Sequence, residues 1–306
     1  MKKTVALALG SGAARGYTHI GVIDALEARG YDIVMVSGCS MGAVVGGFYC
    51  AGQLDVYRNW VCGLKYLDVL KLVDLSLLSG GVIRGDRVFN IISEMLNGRN
   101  IEDLPIPFTA VATDLTNKKE IWFQRGSLQD AVRASAAIPS LLTPVANNGR
   151  MLVDGAVLNP LPITPCVSAH ADFIIAVDLN AEVPVPQELV HDPESERKEK
   201  QDWFNTLVDK ASQWFENKSN ARKEANDSLG KLDILNQVFE VMSASLTQYK
   251  IAGYPPDLLI KIPLNCCEVY EFYRAEEMIA LGRHIADQAL DAFEAGNSSL
   301  YGQRMG

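Results

Sequence analysis

Gly38-Cys39-Ser40-Met41-Gly42 is a G-x-S-x-G pentapeptide placed between an apolar stretch, Asp32–Val36, and a small-residue stretch, Ala43–Ala51. The first stretch is typical of a buried strand, and the second predicts a helix. In a strand–turn–helix of this kind, the serine takes a strained backbone conformation that exposes its hydroxyl. The two glycines leave room where side chains would collide. The pattern therefore predicts a nucleophile elbow centred on Ser40, and a glycine-rich turn without chemistry is the competing interpretation.

Outward from this pentapeptide, strands and helices alternate along the chain. Upstream, Val5–Leu9 is a short buried-strand pattern, and Tyr17–Arg29 has an apolar helical face. Strand, helix, strand and helix in this order predict a parallel sheet with right-handed crossovers. Further strands are predicted at Phe108–Asp114, Glu120–Gln124, Met151–Val153, Phe173–Asp178 and Leu258–Ile262. The predicted fold class is α/β, with three layers (α/β/α) around a mainly parallel sheet.

The remaining chain is predicted to be largely helical and to form one domain over residues 1–306. The predicted helices are Val56–Leu78, Asp86–Leu96 with Asp86 as its cap, Leu128–Ala137, Gln201–Lys223, Leu232–Gln248 and Val269–Phe293. Pro184–Lys200 is rich in proline and mixed charge, which indicates an exposed excursion. We expect a catalytic core at about 4–180, a mobile insertion or lid at 181–230, and closing helices with a last strand at 231–306.

Composition narrows the classes of function. The 306-residue chain carries a net charge of -9, which disfavours nucleic-acid binding and electrostatic attachment to anionic lipid. Any transient contact with a membrane surface is therefore expected through an apolar lip or the substrate pocket. The six cysteines form no C-x-x-C pair and no zinc-like spacing. Free thiols in a reducing, cytoplasmic compartment are expected, with no metal and no cofactor.

A small-residue loop, Gly10–Gly16, joins the first strand to the first helix. Its exposed N–H groups suit an oxyanion hole, which stabilises the negative oxygen of a tetrahedral intermediate. The predicted donors are Gly10, Ser11, Gly12, Ala13 and Ala14. A dinucleotide site is the alternative, but Arg15 takes the place of its third glycine and no acid ends the second strand. Arg15 is expected to orient the loop, to form a structural ion pair or to meet a lipid phosphate.

A serine nucleophile needs a general base, and histidine is the usual one. None of the four histidines follows a strand in a short loop; they are His19, His170, His191 and His284. Asp154 does follow a strand, and it opens the D-G-A sequence completed by Gly155 and Ala156. Active sites of open parallel sheets lie at the carboxyl ends of the strands, so Asp154 is the predicted base. Asp114 and Asp178 also end strands and are the rivals, although no glycine follows either.

The glycine loop, the G-x-S-x-G pentapeptide and D-G-A stand in an order that resembles the patatin-like phospholipases. Within that family, the chain is similar to bacterial proteins related to neuropathy target esterase. The resemblance covers most of residues 4–180 and includes the segments Gly16–Val22, Ala112–Thr116, Arg133–Pro139 and Val153–Asn159. It implies a patatin-like fold and a serine lipid acyl hydrolase, which would cleave fatty acyl esters of phospholipids, lysophospholipids or simpler lipids.

The family uses a Ser–Asp dyad without histidine, so the resemblance implies that Ser40 is the nucleophile and Asp154 the base. It also implies an oxyanion hole from the backbone around Gly12 and Ala13. Relatives often have a fuller glycine run, and Ala13 tolerates fewer backbone conformations than glycine. Three other functions stay open on the residues alone: a lipid-binding or regulatory protein without catalysis, a nucleotide-binding protein, and an α/β-hydrolase with a complete triad.

Overall fold

A computed structural model describes residues 2–72, 85–139, 142–186 and 221–296. The chain divides into two compact units, one made of Met1–Val183 with Met242–Gly306 and the other of Pro184–Val241. The central sheet and the candidate site belong to the first unit. Of the second unit, the structure describes residues 184–186 and the helical residues 221–241. The predicted lid at 181–230 therefore lies mostly outside the described residues.

Eight strands form one sheet within the described part of the chain. They are β1 (Thr4–Leu9), β2 (Asp32–Cys39), β3 (Phe108–Asp114), β4 (Lys119–Phe123), β5 (Val145–Asn147), β6 (Arg150–Asp154), β7 (Phe173–Ala181) and β8 (Leu258–Pro263). Strand β1 pairs in parallel with β2 and β7, β2 with β3, and β7 with β8. Strands β4 and β6 run antiparallel to β3, and β5 runs antiparallel to β6. The prediction of a mainly parallel sheet is confirmed.

Helices flank the sheet. The described helices are α1 (Thr18–Ala28), α2 (Met41–Cys50), α3 (Leu54–Cys62), α4 (Tyr66–Leu72), α5 (Asp86–Leu96), α6 (Leu128–Ser135), α7 (Ala221–Gly253) and α8 (Ala275–Glu294). The parallel strand pairs need long crossover connections: α1 lies in the connection from β1 to β2, and α2 in the connection from β2 to β3. The antiparallel pairs β3–β4 and β5–β6 need only short turns, which is why that end of the sheet departs from the parallel pattern.

Strand β1 shows how the core is divided between the two faces of the sheet. Its side chains alternate between faces, so Ala6 and Ala8 point to one side and Leu9 to the other. Ala6 and Ala8 pack in a buried cluster with Leu161 and Cys166 from the chain after β6. Leu9 packs towards Gly46 of α2 on the opposite face. Both faces of β1 are therefore covered, as a buried parallel strand requires.

Several predicted elements need correction. The helix predicted over Val56–Leu78 is two helices, α3 and α4, and its last residues lie outside the described part. Asp86 is the first residue of α5 rather than its cap, since the cap position is held by Gly85 in a left-handed conformation. The closing helix begins at Ala275 and not at Val269. Strand β5 was not predicted, because three residues are too few to show an alternating pattern.

Candidate active site

The candidate site forms where two strands meet end to end beside β3. Strands β2 and β6 pair with the same edge of β3 from opposite directions, while β4 occupies its other edge. Cys39, the last residue of β2, lies opposite Val111, and Asp154, the last residue of β6, lies opposite the adjacent Ala112. The carboxyl ends of the two strands therefore face each other. This arrangement brings Asp154 beside the turn that begins at Ser40.

The prediction of Asp154 as the base assumed that β6 runs parallel to the neighbouring strands, but β6 runs antiparallel to β3. In a parallel sheet, the carboxyl ends of all strands lie at one edge, and that rule pointed to Asp154. Strand β6 is antiparallel to β3, so the rule does not apply to it. Asp154 reaches the end of β2 because β6 continues the line of β2 in the opposite sense. The position follows from strand pairing rather than from a shared edge.

Ser40 occupies a strained backbone conformation between β2 and α2, with φ 55° and ψ −122°. Such a conformation costs a non-glycine residue on the order of 1–3 kcal/mol and persists only where neighbours hold it. The Ser40 N–H donates a hydrogen bond of 2.9 Å to Ser135 Oγ, and that hydroxyl donates one of 2.6 Å to the Val111 carbonyl. Gly42 must be glycine, because a Cβ there would overlap the backbone of Leu9.

Asp154 is a buried carboxylic acid whose two oxygens differ in their contacts. Its Oδ1 accepts a 2.8 Å hydrogen bond from the Ala156 N–H, and the Cys39 thiol lies 3.8 Å from the same oxygen. Its Oδ2 has no partner of standard hydrogen-bond geometry among the described residues. Burial raises the pKa of Asp154 to about 6, and hydrogen bonding from the Ser40 side chain is the largest opposing contribution. The Ser40 hydroxyl is thus close to the carboxyl without forming an ideal hydrogen bond.

The D-G-A turn is shaped by the same crowding. Gly155 and Ala156 belong to a short 3-10 turn capped by the Asp154 side chain. A Cβ on Gly155 would overlap the carbonyl of Val111 and approach the sulfur of Cys39. The turn therefore passes close beneath the elbow, and the structure brings together all the residues that the sequence assigned to the two motifs.

The glycine loop lies beside the elbow, since Leu9 at the end of β1 is paired with Gly38. Three of its predicted donors are engaged elsewhere: the amides of Gly10, Ser11 and Ala14 donate to the carbonyls of Val177, Pro160 and Val269. The amides of Gly12 and Ala13 donate to no acceptor among the described residues. Only these two N–H groups of the loop are available to an incoming anion there.

Ala13 has a strained backbone conformation. Its φ is 46°, in the left-handed region that glycine adopts easily and alanine does not. The two unpaired N–H groups are that of Ala13 itself and that of Gly12, which precedes it. The strained residue therefore lies directly at the candidate anion donors.

Arg15 is buried and takes part in the internal structure of the loop. Its guanidinium donates to the Leu264 carbonyl at 3.2 Å and to Asn180 Oδ1 at 3.3 Å. Asn180 in turn donates from Nδ2 to the Ser11 carbonyl at 3.2 Å. Arg15 thus links the glycine loop to β7 and to the chain after β8.

The rival bases are occupied by other contacts. Asp114 accepts hydrogen bonds from the backbone and side chain of Asn117, and the side-chain bond is the main cause of its lowered pKa. Asp178 accepts from the Asn180 N–H; its burial raises its pKa. The Asp114 contacts close the turn after β3, and the Asp178 contact lies within β7. Neither carboxyl forms a hydrogen bond or an ion pair with the Ser40 elbow among the described residues.

The histidines do not form a triad with Ser40 among the described residues. His19 is buried in α1, where Nε2 donates to the Gly10 carbonyl at 2.8 Å and burial lowers its pKa to about 4. His284 lies on α8 next to Gln288. His170 caps a short 3-10 turn before β7, and His191 lies outside the described residues.

Two residues of the site were missed at the sequence level. Ser135 stands in the run Arg133–Pro139, which contributed to the resemblance without a role being assigned to its serine. Asn180 lies at the end of β7 and carries no local sequence signal. Both act through contacts with residues distant in sequence: packing of α6 against β3 brings Ser135 to the elbow, and pairing of β7 with β1 brings Asn180 to the loop.

Among the described residues, no group of three or more histidine, cysteine, aspartate or glutamate side chains is placed to hold a metal ion. None of the helices in that part of the chain combines the length and apolar character needed to cross a membrane.

Comparisons with known proteins agree with the motifs. A family model described as patatin-like phospholipase matches residues 7–167. NTE family proteins of Mycobacterium bovis and Mycobacterium tuberculosis are 40% identical, over 95% of this chain and 92% of theirs. The human patatin-like phospholipase domain-containing protein 6 is 26% identical over 96% of this chain, which spans 21% of that longer protein. The crystal structure of VipD from Legionella pneumophila aligns with 94% of this chain at 17% identity and a TM-score of 0.49.

Proposed function

Because the chain belongs to the patatin-like phospholipase family, whose members point to lipid hydrolysis in general, we propose that it is a serine lipid acyl hydrolase with a Ser40–Asp154 dyad. The observation that carries this proposal is the meeting of the two residues at the facing ends of β2 and β6. The proposed substrates are fatty acyl esters of phospholipids, lysophospholipids or simpler alcohols. The membrane surface is then a place of transient contact.

The first half of the proposed reaction forms an acyl-enzyme. Ser40 Oγ attacks the ester carbonyl carbon while its proton passes to Asp154 Oδ2, the oxygen that lacks a standard hydrogen bond. The electron pair of the carbonyl moves onto its oxygen, and the N–H groups of Gly12 and Ala13 stabilise that charge. Collapse of the intermediate breaks the bond to the alcohol oxygen, which leaves with the proton from Asp154.

The second half restores the enzyme. A water molecule gives a proton to Asp154 and attacks the acyl carbon, so that a second oxyanion forms in the same hole. Collapse breaks the bond between Ser40 Oγ and the acyl carbon, and Asp154 returns the proton to Oγ. The fatty acid is released, and both residues regain their starting states. A base whose pKa is near 6 can take part in both transfers near neutral pH.

Ester hydrolysis across a series of acyl chain lengths tests the proposal. We expect Ser40→Ala and Asp154→Asn to lose at least about a thousandfold in kcat, since each removes a member of the reacting pair. Asp114→Asn makes the same acid-to-amide change at another strand end and serves as the matched control, with activity near that of the parent. A fluorophosphonate probe should label the parent at Ser40.

Two results would contradict the proposal. Full activity in Asp154→Asn together with loss in one histidine variant would indicate a complete triad instead. A folded parent that binds lipid vesicles but neither hydrolyses esters nor reacts with the fluorophosphonate would indicate a lipid-binding protein without catalysis.

A further inference from the structure

Asn180 lies between the buried Arg15 and the backbone of the glycine loop. It is at the end of β7, and its side chain is buried. One end of its amide accepts a hydrogen bond from Arg15 at 3.3 Å, and the other donates to the Ser11 carbonyl at 3.2 Å. The mechanism above does not use Asn180, and no motif of the sequence includes it.

The orientation of the Asn180 amide is fixed by its neighbours. A guanidinium has only donors, so the atom that faces Arg15 must be the oxygen Oδ1. The nitrogen Nδ2 must then face the Ser11 carbonyl, which is an acceptor only. The Asn180 N–H also donates to Asp178 Oδ1 at 2.9 Å, which holds the backbone of Asn180 in place. A flipped amide would place donor against donor and acceptor against acceptor.

The hydrogen bond from Asn180 to the Ser11 carbonyl sets the direction in which the next N–H group, that of Gly12, points. The Ser11 carbonyl and the Gly12 N–H belong to one planar trans peptide, in which they point in opposite directions. Since the carbonyl points towards Asn180, the Gly12 N–H points away from it. That N–H donates to no acceptor among the described residues. Gly12 also packs flat on Leu179, where a Cβ would overlap the leucine side chain.

We propose that Asn180 is a positioning residue that, held by Arg15, aims the Gly12 N–H at the oxyanion of the acyl-transfer reaction. This inference rests on the proposed function and adds the element that orients its anion donor. Displacement of a reacting or stabilising group by about 1 Å can lower a rate on the order of a hundredfold. Asn180 should therefore affect the transition state more than it affects the binding of substrate.

The test compares Asn180→Asp and Asn180→Ala with the parent. Asn180→Asp keeps the shape but replaces the donor to Ser11 with an acceptor, and Asn180→Ala removes the donor without adding charge. We expect kcat to fall about tenfold to a hundredfold in both, with KM within about threefold of the parent. The affinity for a trifluoromethyl ketone, which forms an oxyanion on Ser40, should fall in parallel with kcat. Gln124→Glu, a change that removes a donor to Thr109 on β3, is the matched control.

The outcomes separate the inference from the function on which it rests. If the parent hydrolyses esters and both Asn180 variants keep its kcat, the inference is wrong and the proposed function stands. If kcat falls but the affinity for the trifluoromethyl ketone does not, Asn180 acts on general structure and the inference is also wrong. An inactive parent would overturn both. Thermal melting shows whether each variant folds. If Asn180→Asp does not fold, the result for Asn180→Ala decides the test.

Discussion

The most informative residue of the molecule is Asp154, whose carboxyl group is buried with few hydrogen bonds. Asp154 has one oxygen fixed by the Ala156 N–H and one without a standard hydrogen bond in the described part of the chain. A carboxylate in water is too weak a base to activate serine, and desolvation is what strengthens it. Burial raises the pKa of Asp154 from 3.8 to about 6, so the same burial that costs folding free energy would strengthen the proposed base.

The pH dependence of hydrolysis follows from this pKa. The base acts only when it is ionised, so kcat/KM should rise with pH through about 6 and become constant above about 7. The measurement is kcat/KM for a neutral ester between about pH 4.5 and 8.5, a range that brackets the titration of Asp154, with circular dichroism to check the fold at each pH. Asp114→Asn should keep the profile. If kcat/KM instead rose near pH 4, the ordinary pKa of a carboxyl group, the assignment of Asp154 as the base would be contradicted.

At the scale of elements, the nucleophile elbow depends on a helix outside its own strand–turn–helix. Helix α6 supplies Ser135, which joins the strained Ser40 backbone to the Val111 carbonyl of β3. Ser135 is completely buried, so neither of these backbone groups can turn to water instead. The conformation of the elbow is therefore held from the side as well as by its two glycines.

Ser135→Ala tests this support. The change leaves a buried N–H and a buried carbonyl unpaired, which should reduce the free energy of unfolding by about 1–3 kcal/mol. Because the N–H is that of Ser40, we also expect kcat and the rate of fluorophosphonate labelling to fall about tenfold or more.

Ser37→Ala is the matched control for that change. Ser37 is equally buried in β2, and its hydroxyl donates to the Pro162 carbonyl and not to a group that holds the Ser40 backbone. The control should lose comparable stability and keep its activity. Equal loss of kcat in the two variants would show that Ser135 has no special relation to the nucleophile.

The way the elements meet also separates what the sequence could predict from what it could not. The strand–turn–helix around Ser40 was predictable, because every residue that shapes it lies within a short stretch. The direction of β6 was not, because a strand pattern says nothing about the sense of its pairing. The contribution of Ser135 was equally hidden, since it depends on α6 packing against β3. The candidate site residues were thus predictable from local chemistry, and the contacts that support them were not.

For the whole molecule, the burial of the Asp154 carboxyl group affects the free energy of unfolding. Burial favours the protonated form of Asp154 in the folded state, so its ionisation opposes folding. Because the pKa of Asp154 is higher in the folded than in the unfolded state, its contribution to stability is favourable below pH 3.8. That contribution is lost as the pH rises through about 6. The difference between those values corresponds to on the order of 3 kcal/mol at pH 8.

Asp154→Asn should therefore stabilise the fold while it abolishes catalysis. At pH 8 we expect the free energy of unfolding to rise by on the order of 1–3 kcal/mol, and by about half as much at pH 5. Urea denaturation at the two pH values measures the difference. The control Asp114→Asn should show the opposite sign, because the pKa of Asp114 is lowered in the fold by its bond from Asn117. A less stable Asp154→Asn at pH 8 would show that the carboxylate is satisfied.

Because the proposed dyad needs the end-to-end meeting of β2 and β6, activity is expected only late in the synthesis of the chain. A ribosome completes Ser40 and its turn long before it reaches Asp154, and β3, made in between, is the template on which both strands align. A nascent or truncated chain without β6 holds a hydroxyl with no proton acceptor. With the proposed dyad, hydrolysis of nearby lipid by the growing polypeptide is therefore expected only after β6 has paired with β3.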